Sequence, residues 1–411
     1  MTRIALHTLG CKLNYAETST YERGFAAAGW EIVPWGQPAE VYLLNTCAVT
    51  QHAEKKSRNL IRAAASRHPE TRIVVTGCYA ELRAAEIAAL PGVSRVFRAT
   101  EKSLVVPETL AFAAPSTKQG TFVDEVLPAW SGGERTRSFL KVQDGCDNFC
   151  AYCTVPFARG RSRNLPISDL VAQAHDIAAT GIREIVLTGV NTGDFGRTTG
   201  ESFLDLLKAL NEVEGIERYR ISSIEPNLIT EEIIDWIASG TKFLPHFHIP
   251  LQTGSDALLK AVGRRYDTKL FAERIDYIRE RIPHVFFGID VIVGLPGETD
   301  ELYEETFRFL QERIRPAFIH IFPYSRRPGT RAYNMPCQVQ DSIKTARVER
   351  LEALSDELHA EFVASCKGLP EKVLWESVDR DGMMEGYTGN YIRITKPFDP
   401  EKVGTIEDIT I

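Results

Sequence analysis

Gly145-Cys146-Asp147-Asn148-Phe149-Cys150-Ala151-Tyr152-Cys153 sets three cysteines in a C-x-x-x-C-x-x-C spacing, just after residues 139–143, which read as a β-strand. A thiolate trio this tight suits three irons of a cubane 4Fe–4S cluster and leaves the fourth iron open to a ligand. Structural zinc wants four ligands, and no nearby Cys or His completes the set. Bacterial ferredoxin spacing also differs, with two residues in the first gap and a fourth cysteine soon after.

Working outward from the trio, strand and helix patterns alternate. Apolar, β-branched runs at 184–188, 219–222, 247–250, 285–293 and 317–322 follow the one at 139–143. Helical periodicity fills the gaps at 168–179, 203–213, 231–238, 269–280 and 299–312. Six strands with connecting helices predict a partial (β/α)6 barrel of parallel strands, short of the full eight. A charged helical stretch, 342–367, comes next. The tail then changes character: 373–375, 391–395 and 404–411 are strand-like, separated by Asp381-Gly382 and residues 386–390. A small all-β domain is expected there, of a kind that binds oligonucleotides or peptides.

Upstream of the trio, short strands at 3–8, 41–45 and 72–76 are each followed by a helical pattern, at 16–28, 54–67 and 80–90. This alternation predicts an α/β unit with a parallel sheet. Residues 113–120 and Trp130-Ser-Gly-Gly-Glu134 look like linker. The expected class is therefore α/β, with an N-terminal parallel-sheet domain over 1–115, a barrel over 132–365 and a β domain over 366–411.

A second, dispersed trio lies in the first domain. Thr8-Leu9-Gly10-Cys11, Leu44-Asn45-Thr46-Cys47 and Val75-Thr76-Gly77-Cys78 each put a cysteine just past a predicted strand. The carboxyl ends of parallel strands line one edge of an open sheet, where ligands bind. Three cysteines at three such ends converge on one point, and glycine beside two of them lets the backbone approach a bulky cluster. The bland alternative, small buried hydrophobes capping strands, does not account for three ends out of three. Cys337 and Cys366 have no comparable setting and read as isolated thiols.

The chain's 411 residues exceed one ordinary core, and its 44% hydrophobic and 25% charged shares are those of a globular protein. No apolar run approaches the ~18–20 residues of a membrane span, and no signal-peptide pattern opens the chain. The expectation is a cytoplasmic protein with no membrane contact, where cysteines serve metals more often than disulfides. The net charge of −7 argues mildly against a generic nucleic-acid coat. Gly189-Val-Asn-Thr-Gly193-Asp-Phe-Gly196 lacks dinucleotide-fold spacing, and no phosphate loop is present.

The C-x-x-x-C-x-x-C trio, with an aromatic before its last cysteine, resembles the motif of radical S-adenosylmethionine enzymes. With Gly10-Cys11, Asn45-Thr46-Cys47, Gly77-Cys78 and Pro156-Phe157-Ala158-Arg159-Gly160-Arg161-Ser162-Arg163, the whole chain is similar to the methylthiotransferase family. The resemblance implies two 4Fe–4S clusters, one on Cys146, Cys150 and Cys153 and one on Cys11, Cys47 and Cys78. It implies S-adenosylmethionine as methyl donor and radical source, a TRAM-type tail, and an electron donor such as flavodoxin or ferredoxin. Strand ends where such enzymes grip the cofactor would bring in Tyr152, Thr188, Gly189, Ser222, Glu225, Gln252, Gly294 and Pro296. His246 and His248 read as strand-packed side chains rather than metal ligands.

The family implies three substrates: tRNA bearing threonylcarbamoyladenosine, tRNA bearing isopentenyladenosine, or an aspartate of a ribosomal protein. Gly10-Cys11-Lys12-Leu13-Asn14 resembles the threonylcarbamoyl branch, whereas the isopentenyl branch more often reads Gly-Cys-Gln-Met-Asn. A modified purine in an anticodon loop is single-stranded and can be splayed into a site without breaking a duplex. Arg159, Arg161, Arg163 and Arg326 are candidate phosphate contacts, with Arg264-Arg265, Arg327, Arg331, Lys55, Lys56 and Arg58 as further cations. The tail, with six Lys/Arg against nine Asp/Glu over 366–411, favours the ribosomal-protein alternative. A non-enzymatic, metal-bearing RNA-binding protein would need closed four-ligand sites, and each trio has only three cysteines. Nothing demands a dimer, and oligomeric state is left open.

Overall fold

In the computed structural model, residues 1–112, 126–133 and 136–411 are described; the linker expected at 113–120, and Glu134, lie outside them. The N-terminal strands β1 (Arg3–Thr8), β2 (Glu31–Val33), β3 (Val41–Thr46), β4 (Arg72–Gly77) and β5 (Val93–Val96) form a parallel sheet in the order β2-β1-β3-β4-β5. The middle strand β3 is buried along its whole length, as a central strand covered on both faces must be. Its helices Lys12–Ala27 and Gln51–Arg67 start close behind Cys11 and Cys47. The helix expected at 80–90 is broken in two, Cys78–Leu82 and Ala84–Ala88, with Arg83 non-helical between them.

In the barrel, β6 (Arg137–Lys141) is followed by the short antiparallel pair β7 (Gln143–Asp144) and β8 (Arg163–Asn164), which brackets the local cysteine loop. The remaining parallel strands are β9 (Glu184–Thr188), β10 (Arg218–Ile221), β11 (His246–Gln252), β12 (Phe286–Val293) and β13 (Phe318–Pro323). They form two three-stranded sheets, β6-β9-β10 and β11-β12-β13. The sheets meet where Ile224 N donates to His248 O at 3.1 Å and Tyr219 bridges Phe243. Outward residues such as Leu187, Ile221, Ile249 and Ile289 join one core with the surrounding helices. Among the alternating inward residues are the polar Glu184, Arg218, Arg220, His248, Asp290 and His320, as a strand period of two allows.

Six strands leave the barrel open between β6 and β13, and the N-terminal domain fills the gap. Tyr15 lies edge-on to Phe139 of β6, with ring centroids 6.4 Å apart. At the other margin Gln51 Nε2 donates to Arg326 O at 3.0 Å, and Glu54 pairs with Arg327. Trp130, expected in a linker, is instead bridged to Leu140, with the Arg23 guanidinium 3.6 Å from its ring centre. The cation–π contact and the bridge tie this segment to both domains.

The tail strands β14 (Pro370–Arg380), β15 (Met383–Tyr387), β16 (Arg393–Pro397) and β17 (Ile406–Thr410) make an antiparallel sheet in the order β16-β15-β14-β17. This domain seals the barrel floor: Arg220 donates to Thr388 O at 2.7 Å and Gly389 O at 2.9 Å, and Arg218 to Lys372 O at 3.0 Å. Among the described residues no helix is long and apolar enough to cross a membrane.

Candidate active site

The local trio is held by backbone geometry. Gly145 has φ +74°, and a side chain there would run into the Arg161 carbonyl, so the loop turns at glycine. Cys146 N donates to Gly160 O at 3.1 Å and Ala151 N to Val262 O at 2.8 Å, fixing the loop at two points. The amides of Asn148 and Val155 point at Cys146 Sγ and Cys153 Sγ, at 3.5 and 3.4 Å. Arg264 Nη1 reaches Cys150 Sγ at 3.2 Å. Burial, with Cys150 alongside, pushes the Cys146 thiol up to about 11 and the Cys153 thiol up to about 12. Three soft donors, two buried and one half-buried, with amide and guanidinium partners fit a cluster whose binding would displace their protons.

Strand-end residues close around this loop. Asn148 Nδ2 donates to Glu225 Oε1 at 2.8 Å, and Arg264 Nη2 lies 2.9 Å from the same oxygen. Glu225, Arg264 and the trio therefore form one contact chain. Ser222 Oγ, just past the end of β10, is buried with no hydrogen-bond partner among the described residues. Gln252 has φ +70° where β11 shifts register. Thr188 turns its hydroxyl to Val186 O. Gly189 packs on Gln143, whose Oε1 accepts from Val190 N and Asn191 N at 2.9 and 3.0 Å while its Nε2 donates to Gly145 O at 2.7 Å. Gln143 thus clamps the loop after β9 to the cysteine loop. Tyr152 OH accepts from Arg264 at 3.5 Å. Gly294 lies under the Lys344 side chain, and Leu295, between it and buried Pro296, packs with Ala151 and Tyr152.

The dispersed trio gathers at the carboxyl edge of the first sheet. A Cβ on Gly10 would stand 2.9 Å from Cys47 Cβ, which shows how closely the first and second strand ends approach. Gly77, at φ +98°, lies against Thr46 and 2.5 Å from Asn45 Oδ1 by the same test. Burial pushes the Cys47 thiol up to about 11, with Cys78 and Cys11 adding to the effect. Asn14 Nδ2 ties the loops together through Leu9 O at 2.8 Å and Thr46 O at 3.0 Å. Cys78 is flanked by the positive charges of Arg159 and Lys102, which suit an anionic thiolate-bound cluster.

Arg159, expected to contact phosphate, is 2% exposed and belongs to a buried ion network. Its Nη1 lies 2.8 Å from Asp144 Oδ1 and 3.2 Å from Glu17 Oε1, and Lys102 and Lys141 reach Glu17 at 2.8 and 3.2 Å. Burial alone would raise the Glu17 carboxyl, but Lys102, Arg159 and Lys141 hold it at about 2. The network joins the N-terminal domain to the barrel beside the dispersed trio, so Arg159 is an interdomain tie. Arg163 is largely drawn in too, donating to Arg159 O at 2.7 Å. Buried Arg264 and Arg327 are likewise committed to Glu225 and Glu54. Arg161 and Arg326 remain exposed, the first paired with Asp147 at 2.6 Å and the second stacked 4.4 Å over Tyr333.

Inside the barrel, His248 Nε2 meets Asp290 Oδ1 at 2.6 Å and stacks on His320, with centroids 4.8 Å apart. All three residues are half-buried, so His248 is a chamber-lining group rather than a packed one. Lys12, beside Cys11, enters the same chamber; burial with Arg137 and Arg220 nearby pushes its ammonium down to about 8. The pairing of His320 with His248 follows from strand register and left no signal in the sequence.

A partial parallel barrel carrying this trio after its first strand is the architecture of radical S-adenosylmethionine enzymes. The Radical SAM superfamily model matches residues 140–310, and uncharacterized protein family UPF0004 matches 3–98. The fold is similar to the radical S-adenosylmethionine methyltransferase TsrM from Kitasatospora setae, with TM-score 0.59 and 12% identity over 92% of this chain and 79% of that one. Threonylcarbamoyladenosine tRNA methylthiotransferase MtaB of Bacillus subtilis is 39% identical over 100% of this chain and 94% of that protein. MtaB of Aquifex aeolicus is 35% identical over 96% of each. A tRNA-2-methylthio-N(6)-dimethylallyladenosine synthase of Desulfotalea psychrophila is 31% identical over 93% of this chain and 90% of its own. The chain belongs to the radical S-adenosylmethionine methylthiotransferases, as a tRNA methylthiotransferase of the MtaB type. It is an enzyme whose cofactors are 4Fe–4S clusters and S-adenosylmethionine.

Proposed function

We propose that this enzyme places a methylthio group on C2 of N6-threonylcarbamoyladenosine in the anticodon loop of tRNA. The observation that carries the reading is the full-length likeness to the MtaB proteins together with two separate cysteine trios facing one barrel. In this reading Cys146, Cys150 and Cys153 hold the radical cluster, and Cys11, Cys47 and Cys78 hold the sulfur-donating one. When bound, the clusters and S-adenosylmethionine supply the 5′-deoxyadenosyl radical and the methylthio group, chemistry that side chains alone lack.

The chain's own groups position and shield. Arg264 and the Asn148 amide steady Cys150 and Cys146, and Glu225 locks that loop to the end of β10. Ser222 Oγ and the backbone after β9, set by Gln143, face the place where S-adenosylmethionine would lie. Tyr152, Thr188, Gly189, Gln252, Gly294 and Pro296 shape the surrounding strand ends. The N-terminal domain at the open side of the barrel and the tail at its floor keep bulk water out. Arg161 and Arg326, with Lys55, Lys56, Arg265 and Arg331, are the exposed cations that would meet phosphate. An electron donor such as flavodoxin or ferredoxin would serve it in the cytoplasm.

Nucleoside mass spectrometry of tRNA from a host lacking its own such enzyme tests the reading. The expected result is a methylthio gain on threonylcarbamoyladenosine when this gene is supplied. A gain on isopentenyladenosine instead would keep the chemistry and overturn the substrate. No change on any nucleoside would redirect the search to a ribosomal-protein aspartate.

A further inference from the structure

The interior of the barrel carries charge that the cluster sites do not use. Arg137, Glu184 and Arg218 share one rung of β6, β9 and β10, and Arg220 stands one rung above. Around the other sheet, His248 is level with Gly288 and Asp290 with His320. Gly288 makes room for the ring pair, since a Cβ there would stand 3.3 Å from His320 Nε2.

The carboxylates facing this space are already engaged. Glu184 is gripped by Arg218 Nε at 2.8 Å and Arg220 Nε at 2.9 Å, with Arg137 3.4 Å away. Glu376 pairs with Arg137, and Asp290 with His248. Lys12 has no ion pair or hydrogen bond among the described residues, and neither does a ring nitrogen of His320. Yet Lys12 is exposed within the chamber and close enough for its charge to act on both His246 and His320. The exposed Phe322, two residues on from His320, offers a ring face to a splayed base.

A divalent metal on His248, Asp290 and His320 would sit in the field of Lys12, whose charge reaches His320. That charge opposes it and favours an anion. We propose that Lys12 and His320 bind the carboxylate of the threonylcarbamoyl group, with the adenine held between the two cysteine trios. The inference rests on the threonylcarbamoyladenosine reading and adds the residues that would recognise its acid. Lys12 donates a charge-assisted bond from the N-terminal domain and His320 a neutral one from β13, so both domains must be docked for the acid to be read.

The test compares two anticodon stem-loops, one carrying threonylcarbamoyladenosine and one its carboxylate methyl ester, with the reconstituted full-length enzyme. The expected result is a KM about 10–100-fold lower for the acid, the worth of one charge-assisted bond. Lys12→Met and His320→Phe should each erase most of that preference, and Lys12→Arg should restore it. Equal KM values for acid and ester in the parent enzyme would overturn the pocket while leaving the substrate reading intact. No methylthiolation of either stem-loop would overturn the substrate reading and the pocket with it. A KM change confined to S-adenosylmethionine in Lys12→Met would assign the charge to the cofactor and overturn the proposal. So would one equivalent of a non-iron divalent metal, present in the parent and lost in His320→Phe.

Discussion

Cys146, Cys150 and Cys153 stand in a single loop, whereas Cys11, Cys47 and Cys78 come from three strand ends spread across the first domain. The local trio needs one turn at Gly145 and a few backbone bonds to be in place. The dispersed trio needs β1, β3 and β4 in register, with two tight glycine contacts. Ligands close in sequence inherit their geometry from local backbone, and ligands far apart inherit it from the stability of a sheet. The two sites should therefore fail differently when the protein is stressed.

The largest contrast is expected from the ligands themselves. Cys150→Ala should abolish both S-adenosylmethionine cleavage and methylthiolation. Cys47→Ala should keep cleavage and lose methylthiolation; parallel assays of 5′-deoxyadenosine and modified nucleoside separate the two, and retained methylthiolation in Cys47→Ala would break the division of labour. Glycine substitutions sharpen the contrast. Gly77→Ala forces a side chain against Thr46 and Asn45 at a positive φ, a strain of about 2–4 kcal/mol on the sheet. Iron per reconstituted chain should fall from about eight to about four, with cleavage retained. In Gly145→Ala the collision is with the Arg161 carbonyl, and the same iron loss should come with cleavage abolished. Equal losses of cleavage in both variants would show that the sites are not independent.

The smallest expected effect lies in the network that joins the two regions. Arg159→Met removes one buried partner from Glu17 and Asp144, which keep Lys102 and Lys141, at a cost of about 1–3 kcal/mol. Both carboxyls are held below their ordinary range, Glu17 at about 2. Their contribution is therefore full above the unfolded value near ~4 and lost as pH falls toward 2. Urea midpoints of the cluster-free chain should fall across that acid window, and in Arg159→Met the fall should be smaller and end at a higher pH. An unchanged profile in the variant would remove Arg159 from the interdomain tie.

Much of this architecture was legible because its signals are local. The β-branched runs that became β1, β3, β4 and the barrel strands are apolar enough to stand out, and the helices between them keep their period. β2 and β5 escaped notice because they are short edge strands, and β15 because Met383-Met384-Glu385-Gly386-Tyr387 has no β-branched residue. The cysteines announced themselves by spacing and by strand ends. Arginines do not announce their fate: Arg159 looks like Arg161 in the sequence, yet one meets a carboxylate 142 positions away and the other faces solvent. Gln143 and His320 were invisible for the same reason, since their roles depend on which strands lie beside them.

The floor of the barrel carries a last consequence. Arg218 and Arg220 are stoppered by carbonyls of the tail, so the floor of the chamber is shut where they stand. A vessel shut at its floor is filled and emptied from above, so what lies deepest arrives first and leaves last. A deep guest and whatever follows it would share that route, and the order of traffic along it would become part of the enzyme's timing.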